Sequence, residues 1–534
     1  MKKKNILIVG AGFAGIFTAK KLARKFKRNS DVQITLIDKH SYFTYLTELH
    51  EVAANRVPED AIQYDLQRLF SKQKNVHLIT DKIIKVDQSN KLVIGEHDSY
   101  NFDYLIIGIG SEPNDFNTPG VKEFGFTLGS WEQAIEIKEH IISTIRKGAI
   151  EQDSKKRESL LTISVVGSGF TGTETIGEFA EWKHILAKEN KIDPDEIKLN
   201  LIEMAPTIMN MLDPKDAIKA ERYMEKQNIN VMKNTGVIGV HKDYIDLKDG
   251  SKLPTSTLIW TAGVKANSDA NMLGFEQGKA DRIIVNKYMQ INDSDFLYAI
   301  GDVNLYSANN DGKGEPQIVQ AAEESAETAA ANVIAQINNS KQHEFSPNYQ
   351  GFMVSIGSKY AVANIFNNIH LSGFMATLLK HMINIKTFLQ LSSFYYLFKY
   401  LEHEFFDAQN ERTVFGKLTD THGNALWSLP LRLLIGGYLI YLATSTSISF
   451  SFIALILGIT IFTGTLTSLS GIILFVLSII WTASGFGYLF WLIPASLILL
   501  DGCGKVLGID SLLSPFISKL LLKKTHGKVY SYYK

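Results

Sequence analysis

The sequence predicts an α/β protein with two Rossmann-like dinucleotide-binding domains, followed by membrane-associated helices and an all-α transmembrane bundle. Three observations carry that prediction. Two glycine fingerprints, Gly10-x-Gly12-x-x-Gly15 and Gly167-x-Gly169-x-x-Gly172, each stand between a short apolar β-rich run and a stretch with helical spacing. No Asp, Glu, Lys, Arg or His occurs between Arg432 and Asp501, which leaves room for about three to four spans of roughly 20 residues. At 534 residues the chain is also too long for one ordinary core.

Asn5–Val9 reads as a buried parallel strand, and "IFTAKKLARKF" after the glycines reads as a helix. Gly10 permits the tight turn, and Gly12 lets backbone approach a pyrophosphate. Phe13 and Ala14 complete the turn, and Gly15 lets helix and strand pack closely. The helix N-terminus offers free N–H groups to phosphate. Val32–Ile37 is the next strand and ends in Asp38, placed to hold ribose hydroxyls. The opening "MKKKNILIVG" imitates a secretion signal, but its apolar part stops at Gly10, too short for one. The expectation is a strand, with the N-terminal domain in the cytoplasm.

"LLTISVVGSGFTGTETIGEFAEW" repeats the grammar, with Phe170 and Thr171 inside the turn. Its next strand, "KLNLIEM", ends in Glu203 after a longer connection. A carboxylate there accepts from a ribose 2′-OH and repels a 2′-phosphate, so NADH is expected over NADPH. Each fingerprint has an echo about a hundred positions on: "FDYLIIGIGSEPN", with Gly110, and "STLIWTAGVKANS", with Ala262 and Gly263. "DFLYAIGDV" is a later strand ending in Gly301-Asp302, where an acid can bind a flavin ribitol hydroxyl.

In this order the motifs resemble the two-dinucleotide-binding-domain flavoproteins. The resemblance implies non-covalent FAD in a first domain (residues 1–120 and 280–345) and NADH in a second domain inserted into it (121–279). "YLTELHEVAANRV", "LGSWEQAIEIKEHI", "IWTAGVKAN" and "PQIVQAAEESAETAAANVI" further resemble type II NADH:quinone oxidoreductases. That likeness implies electron transfer from NADH through FAD to a membrane quinone, without proton pumping. In that family an Ala-Gln-x-x-x-Gln element lies near flavin and quinone. Here Gln320 matches the first Gln, Val319 replaces the Ala and Glu324 stands at the second Gln.

Gln320 and Glu324 are four apart and share a helix face. An ionised Glu324 cannot donate to a quinone carbonyl, but a protonated one can, and burial beside Glu323 would push its pKa up. Glu174 ends the second turn where the family has a carboxylate facing the nicotinamide–quinone region, so it is expected to tune hydride transfer or deliver a proton. A carboxylate in that place would otherwise only stabilise the first helical turn. Thr47 is expected to touch the flavin, and His50 to be packed locally. No His/Cys/Asp cluster has metal-ligand spacing, and no metal is expected. Cys503 is the single cysteine, which excludes a CxxC redox pair and disfavours a sulfide:quinone reductase.

Acidic and basic residues number 55 each, so nothing in the charge balance suggests nucleic acid. From Leu371 to Phe406, Leu378, Met382, Ile385 and Leu389 step at helical spacing. The family resemblance makes residues 346–420 a region lying on the bilayer. Residues 425–534 form a transmembrane domain of about four spans: Leu429–Leu442, Phe450–Phe462, Ser468–Thr482 and Tyr488–Leu500. No ionisable relay residue is expected within them. Lys519, Lys523, Lys524 and Lys528 suit a cytoplasmic tail, and the end of the chain loosely resembles DoxX-like membrane domains. The expected location is a bacterial-type inner membrane with the catalytic domains facing the cytoplasm, and a homodimer is an open expectation. Two alternatives stay open: a reductase with a non-quinone acceptor, and a redox-sensing nucleotide-binding scaffold.

Overall fold

The computed structural model describes residues 3–308, 314–366, 368–405, 412, 428–445, 451–500, 503–505 and 509–510. It divides into two compact units, Met1–Thr419 and Asp420–Lys534.

In the first unit, β1 (Lys4–Val9) leads through the first glycine turn into α1 (Phe13–Lys25). There follow β2 (Val32–Asp38), the short α2 (Leu49–Ala53), β3 (Val76–Thr80) and β4 (Tyr104–Ile107). A second series then begins: β5 (Phe126–Thr127), β6 (Thr162–Val166), α3 (Phe170–Asn190), β7 (Lys198–Ile202), β8 (Ile229–Met232) and β9 (Thr257–Trp260). The chain returns through β10 (Leu297–Ala299) to α4 (Val319–Asn338).

Two five-stranded parallel sheets result, ordered β10-β4-β1-β2-β3 and β5-β9-β6-β7-β8. The central strands are apolar along nearly their whole length because both sheet faces are covered, one face of the second sheet by an antiparallel meander through Val240, Ile245 and Leu247. The orders coincide except for the origin of the outer strand. In the first sheet β10 arrives after the second series, so that series is spliced between β4 and β10. The architecture is a mixed α/β dinucleotide-binding fold.

An antiparallel meander, β11 (Gly351–Ser355), β12 (Ala361–Ile365) and β13 (Ile369–Ser372), precedes α5 (Phe374–Gln390) and α6 (Phe394–Phe405). Helix α5 is inverted relative to a water-facing helix. Thr377, Lys380, His381, Asn384 and Thr387 are buried, whereas Phe374 is 51% and Met382 58% exposed. Of the predicted stripe, Met382 and Leu389 are exposed and Leu378 and Ile385 half-buried. On α6, Phe398 is 64% exposed, and Phe394 and Tyr395 also face outward.

The second unit contains α7 (Ser428–Ser445), α8 (Ser451–Thr463), α9 (Thr467–Ala483) and α10 (Leu492–Ile498) around a core that includes Ile435, Leu439, Ile461, Leu474 and Trp481. Gly436 and Gly458 let α7 and α8 approach closely, since a Cβ at Gly436 would press on Phe462 backbone and one at Gly458 on Ile440. By length and composition, among the described residues, only Ser428–Ser445 meets the requirements of a crossing helix.

Two expectations are corrected here. The fourth expected span, Tyr488–Leu500, is a 3₁₀ turn, Gly487–Leu489, followed by the short α10, with Pro494 in that helix's first turn. The spans also hold an ionisable residue. Arg432 is buried within α7 and its Nη1 donates to the Cys503 carbonyl at 2.7 Å, because a guanidinium on an apolar helix must satisfy its donors internally. Phe450 and the tail lysines lie outside the described residues.

Candidate active site

The two fingerprint turns are built alike. Gly10 and Gly167 have φ of +102° and +97°, the left-handed region open to glycine. A Cβ at Gly15 would collide with the Gly10 carbonyl oxygen, and one at Gly172 with that of Gly167. Gly12 and Gly169 meet nothing within 4 Å, leaving open space at the point where a pyrophosphate approaches. Neither α1 nor α3 has a side-chain cap or an acid in its first turn, so their leading N–H groups are free for an anion. These features fit a dinucleotide at each turn.

The acids at the ends of β2 and β7 tie down the turns. Asp38 accepts from Ala11 N at 2.6 Å and His40 N at 2.8 Å, and burial raises its pKa. Glu203 accepts from Ser168 N at 2.9 Å, Ser168 Oγ at 2.6 Å and Ala205 N at 2.8 Å. Both therefore brace the backbone of their turns. A cavity lined by Gly10, Asp38, Lys39, Asp81, Lys82 and Asn267 opens beside the first turn.

The other predicted residues gather around these turns. Gly110 has φ +75° with open space before it, and Ser111 Oγ donates to Asp302 Oδ2 at 2.7 Å. Burial raises the Asp302 pKa. Ala262 is exposed and backs Gly167, while Gly263 faces the Phe116 ring. Thr47 and Thr171 are exposed. Phe170 stacks on Phe352 at 5.8 Å. The Phe13 ring turns into the core against Phe43 at 5.0 Å, and Ala14 is buried beside it, so what these two present at the turn is backbone.

Glu174 lies one helical turn into α3, with 18% of its side-chain surface exposed. Ser355 N and Oγ donate to it at 3.3 and 3.2 Å. Burial pushes its pKa up to about 7, against the pull of Lys380 and those hydrogen bonds. Behind it lies a buried polar core that sequence reasoning missed. Arg56 pairs with Glu51, with Glu178 at 3.2 Å and with Glu404 at 3.0 Å. Lys380 Nζ lies 2.7 Å from Glu51 and 3.3 Å from Glu48. Asn384 donates to Glu48 at 2.7 Å and to Tyr400 at 2.9 Å.

His50 is packed locally, as expected, but inside this core. Its Nδ1 is 3.8 Å from Glu174 and its Nε2 3.8 Å from Glu51, and burial lowers its pKa to about 3. The fold thereby brings Glu48, His50 and Glu51 close enough to share a cation, a grouping that sequence spacing did not suggest. Lys380 and Arg56 supply the positive charge there.

Gln320 and Glu324 sit on α4. The Gln320 amide is engaged at both ends, donating to Gly351 O at 2.8 Å and accepting from Gln350 N at 2.7 Å. Glu324 lines a cavity of about 430 Å³ with Lys20, Lys21, Arg24, Glu323 and Glu327. Its pKa is raised by burial and then by Glu327, and Glu323 and Glu324 also repel one another. Glu323 itself is pushed up to about 7 by burial, against Lys386. The expected pair is thus divided between a backbone clamp and a charged cavity.

The family described as pyridine nucleotide-disulphide oxidoreductase matches residues 4–326. The chain belongs to that family. As an oxidoreductase of this family it has no thiol pair, because Cys503 is its single cysteine. It is 27% identical over 400 residues to the type II NADH:quinone oxidoreductase of Staphylococcus aureus strain MSSA476, covering 74% of this chain and 98% of that protein. Among solved structures, the fold is similar to NDH2 from Plasmodium falciparum in complex with NADH. The TM-score is 0.66 at 18% identity, covering 75% of this chain and 98% of that one. It is also similar to the sulfide:quinone oxidoreductase of Aquifex aeolicus, with a TM-score of 0.59 at 17% identity over 73% and 91% of the two chains.

Proposed function

We propose that this pyridine nucleotide-disulphide oxidoreductase is a membrane-bound type II NADH:quinone oxidoreductase. The observation that carries the reading is Glu174, a carboxyl poised near neutrality at the mouth of the second turn and backed by a buried polar core. Residues 1–120 and 280–345 would hold FAD through the first turn, Asp38, Gly110 and Asp302, with Thr47 near its ring. Residues 121–279 would hold NADH through the second turn, Glu203, Ala262 and Gly263. FAD supplies a ring that takes two electrons from NADH and passes them to the acceptor.

The chain's own work is to bind, orient and move a proton. The balance NADH + H⁺ + quinone → NAD⁺ + quinol takes one proton from solvent in each turnover, and Glu174 is the group placed to hold it. Ser355 orients that carboxyl. The outward apolar faces of α5 and α6 support contact with the bilayer over residues 346–420. The apolar helices of residues 425–534 support permanent anchorage, with the catalytic domains on the cytoplasmic side. Arg432, which donates to a backbone carbonyl, gives no reason to add proton pumping.

The test is NADH oxidation by the detergent-solubilised protein with and without a menaquinone or ubiquinone analogue. Quinone-dependent turnover without added metal is expected. If NADH bleaches the flavin absorbance once and quinone does not restore it, the quinone reading is wrong. The division of Gln320 and Glu324 favours one second reading, the same NADH step with another acceptor, and that outcome would select it.

A further inference from the structure

The core behind Glu174 has an imbalance of charge that its geometry must resolve. Among the described residues, the turn before α2, α2 itself and the loop after it contribute Glu48, His50, Glu51 and Arg56. Helix α3 contributes Glu174 and Glu178, with Glu181 further along. Helix α5 contributes Lys380 and His381, and α6 contributes Tyr400 and Glu404. Tyr45, Tyr64 and Arg412 close the remaining sides. Five carboxyls (Glu48, Glu51, Glu174, Glu178 and Glu404) thus face three cations, Arg56, Lys380 and Arg412. A dry core does not tolerate that uncompensated charge, so protons make up the difference.

The ion pairs locate those protons. Glu51 is paired with both Arg56 and Lys380, whereas among the described residues Glu48 shares Lys380 at 3.3 Å and Glu404 shares Arg56 at 3.0 Å. Carboxyls that share one cation in a dry core do not all stay ionised. Glu51, held between Arg56 and Lys380, is the ionised centre. Burial alone would raise its pKa, but Arg56 and then Lys380 keep it well below the usual range. Glu48 and Glu404 are the proton carriers: burial and then Glu51 hold Glu48 well up, and burial takes Glu404 to about 8 against Arg56.

We propose that Glu48, Glu51 and Glu404 form a buried proton store that refills Glu174 through the His50 ring. The inference rests on the proposed function, since it explains how a turnover that consumes a proton is supplied at a site closed off by substrate. His50 lies between Glu174 and Glu51, 3.8 Å from each, a gap that a small side-chain swing or one ordered water bridges. Its Nε2 has no hydrogen-bond partner among the described residues. A neutral imidazole accepts at one nitrogen while donating from the other. The step balances: one proton leaves the Glu48 or Glu404 carboxyl, one arrives at Glu174, and the store takes its replacement from solvent after the quinol leaves.

The test uses the flavin-loaded enzyme in detergent and the isosteric variants E48Q and E404Q, accepted for measurement only if they retain flavin and melt cooperatively. Infrared spectra of the oxidised enzyme at pH 7 should show a protonated-carboxyl C=O stretch that weakens in each variant. In stopped flow with a menaquinone analogue, each variant should re-oxidise about tenfold more slowly than wild type at pH 8 and recover at pH 6, where bulk protons substitute for the store. An unchanged carboxyl band, or pH profiles that superimpose on wild type, overturns the proposal. If wild type reduces no quinone, the proposed function falls, and the infrared band alone then decides whether the store exists.

Discussion

The two glycine turns are the same device with different walls. Gly10, Gly12 and Gly15 superpose in role on Gly167, Gly169 and Gly172, and both lead into helices whose first N–H groups are uncapped. The differences lie in the helix residues after each turn. Phe17 stands in α1 where Glu174 stands in α3, and Lys21 where Glu178 stands. Phe13 is packed into an aromatic core, whereas Phe170 stacks half-exposed on Phe352. The acids are held differently too: Ala11 offers Asp38 only its backbone, whereas Ser168 gives Glu203 backbone and hydroxyl. The turn geometry is the same in both copies, and only the second is followed by carboxyls on its helix.

The largest effect should come from breaking one copy at a time. Gly15→Val drives a side chain into the Gly10 carbonyl and should yield protein without flavin absorbance, destabilised on the order of 3 kcal/mol. Gly172→Val should leave the flavin bound while NADH no longer reduces it, as read by anaerobic titration. Flavin loss in both variants would mean that the copies do not divide the two ligands.

Next comes the wall that distinguishes the copies. Glu174→Gln should slow quinone-dependent re-oxidation about 10²-fold and remove the inflexion near pH 7 from its pH profile. A rate loss with the inflexion intact would reduce Glu174 to an orienting role.

The pH dependence of stability probes the same wall. Burial raises Glu174 and Glu178 to about 7 and Glu404 to about 8, above the usual 4.5. The folded chain therefore binds more protons than the unfolded one between about 4.5 and 8, and stability falls as pH rises through that window. Calorimetry should give a lower melting temperature at pH 9 than at pH 6, and Glu404→Gln should narrow the difference. The smallest effect belongs to the turn acids. Ser168→Ala removes one hydroxyl bond to Glu203 and should cost about 1 kcal/mol, measurable by denaturant titration, with NADH still preferred over NADPH.

The parts read directly from the chain were those with local causes. A strand, a glycine turn and a helix occupy consecutive residues, so Gly10 to Gly15 and Gly167 to Gly172 were legible with their strands and acids. The apolar stripe of α5 was legible too, but its facing was not. Periodicity says that Met382 and Leu389 share a side, and only packing says that this side points outward. The opposite face, with Lys380, His381 and Asn384 at the same helical spacing, was the available signal for a buried polar core. Glu174 and Glu178, four apart on α3, were another.

The chain by itself determined two dinucleotide turns, their order, and an uncharged apolar run between Arg432 and Asp501, because each arises from backbone sterics and hydropathy within a short stretch. Only the tertiary structure decided that Glu48, Glu51, Glu174, Glu178 and Glu404 meet around Arg56 and Lys380. Those residues are separated by hundreds of positions in places, and their protonation depends on the loss of water around them. Desolvation and pairing are properties of the assembled core, and no local pattern of residues contains them.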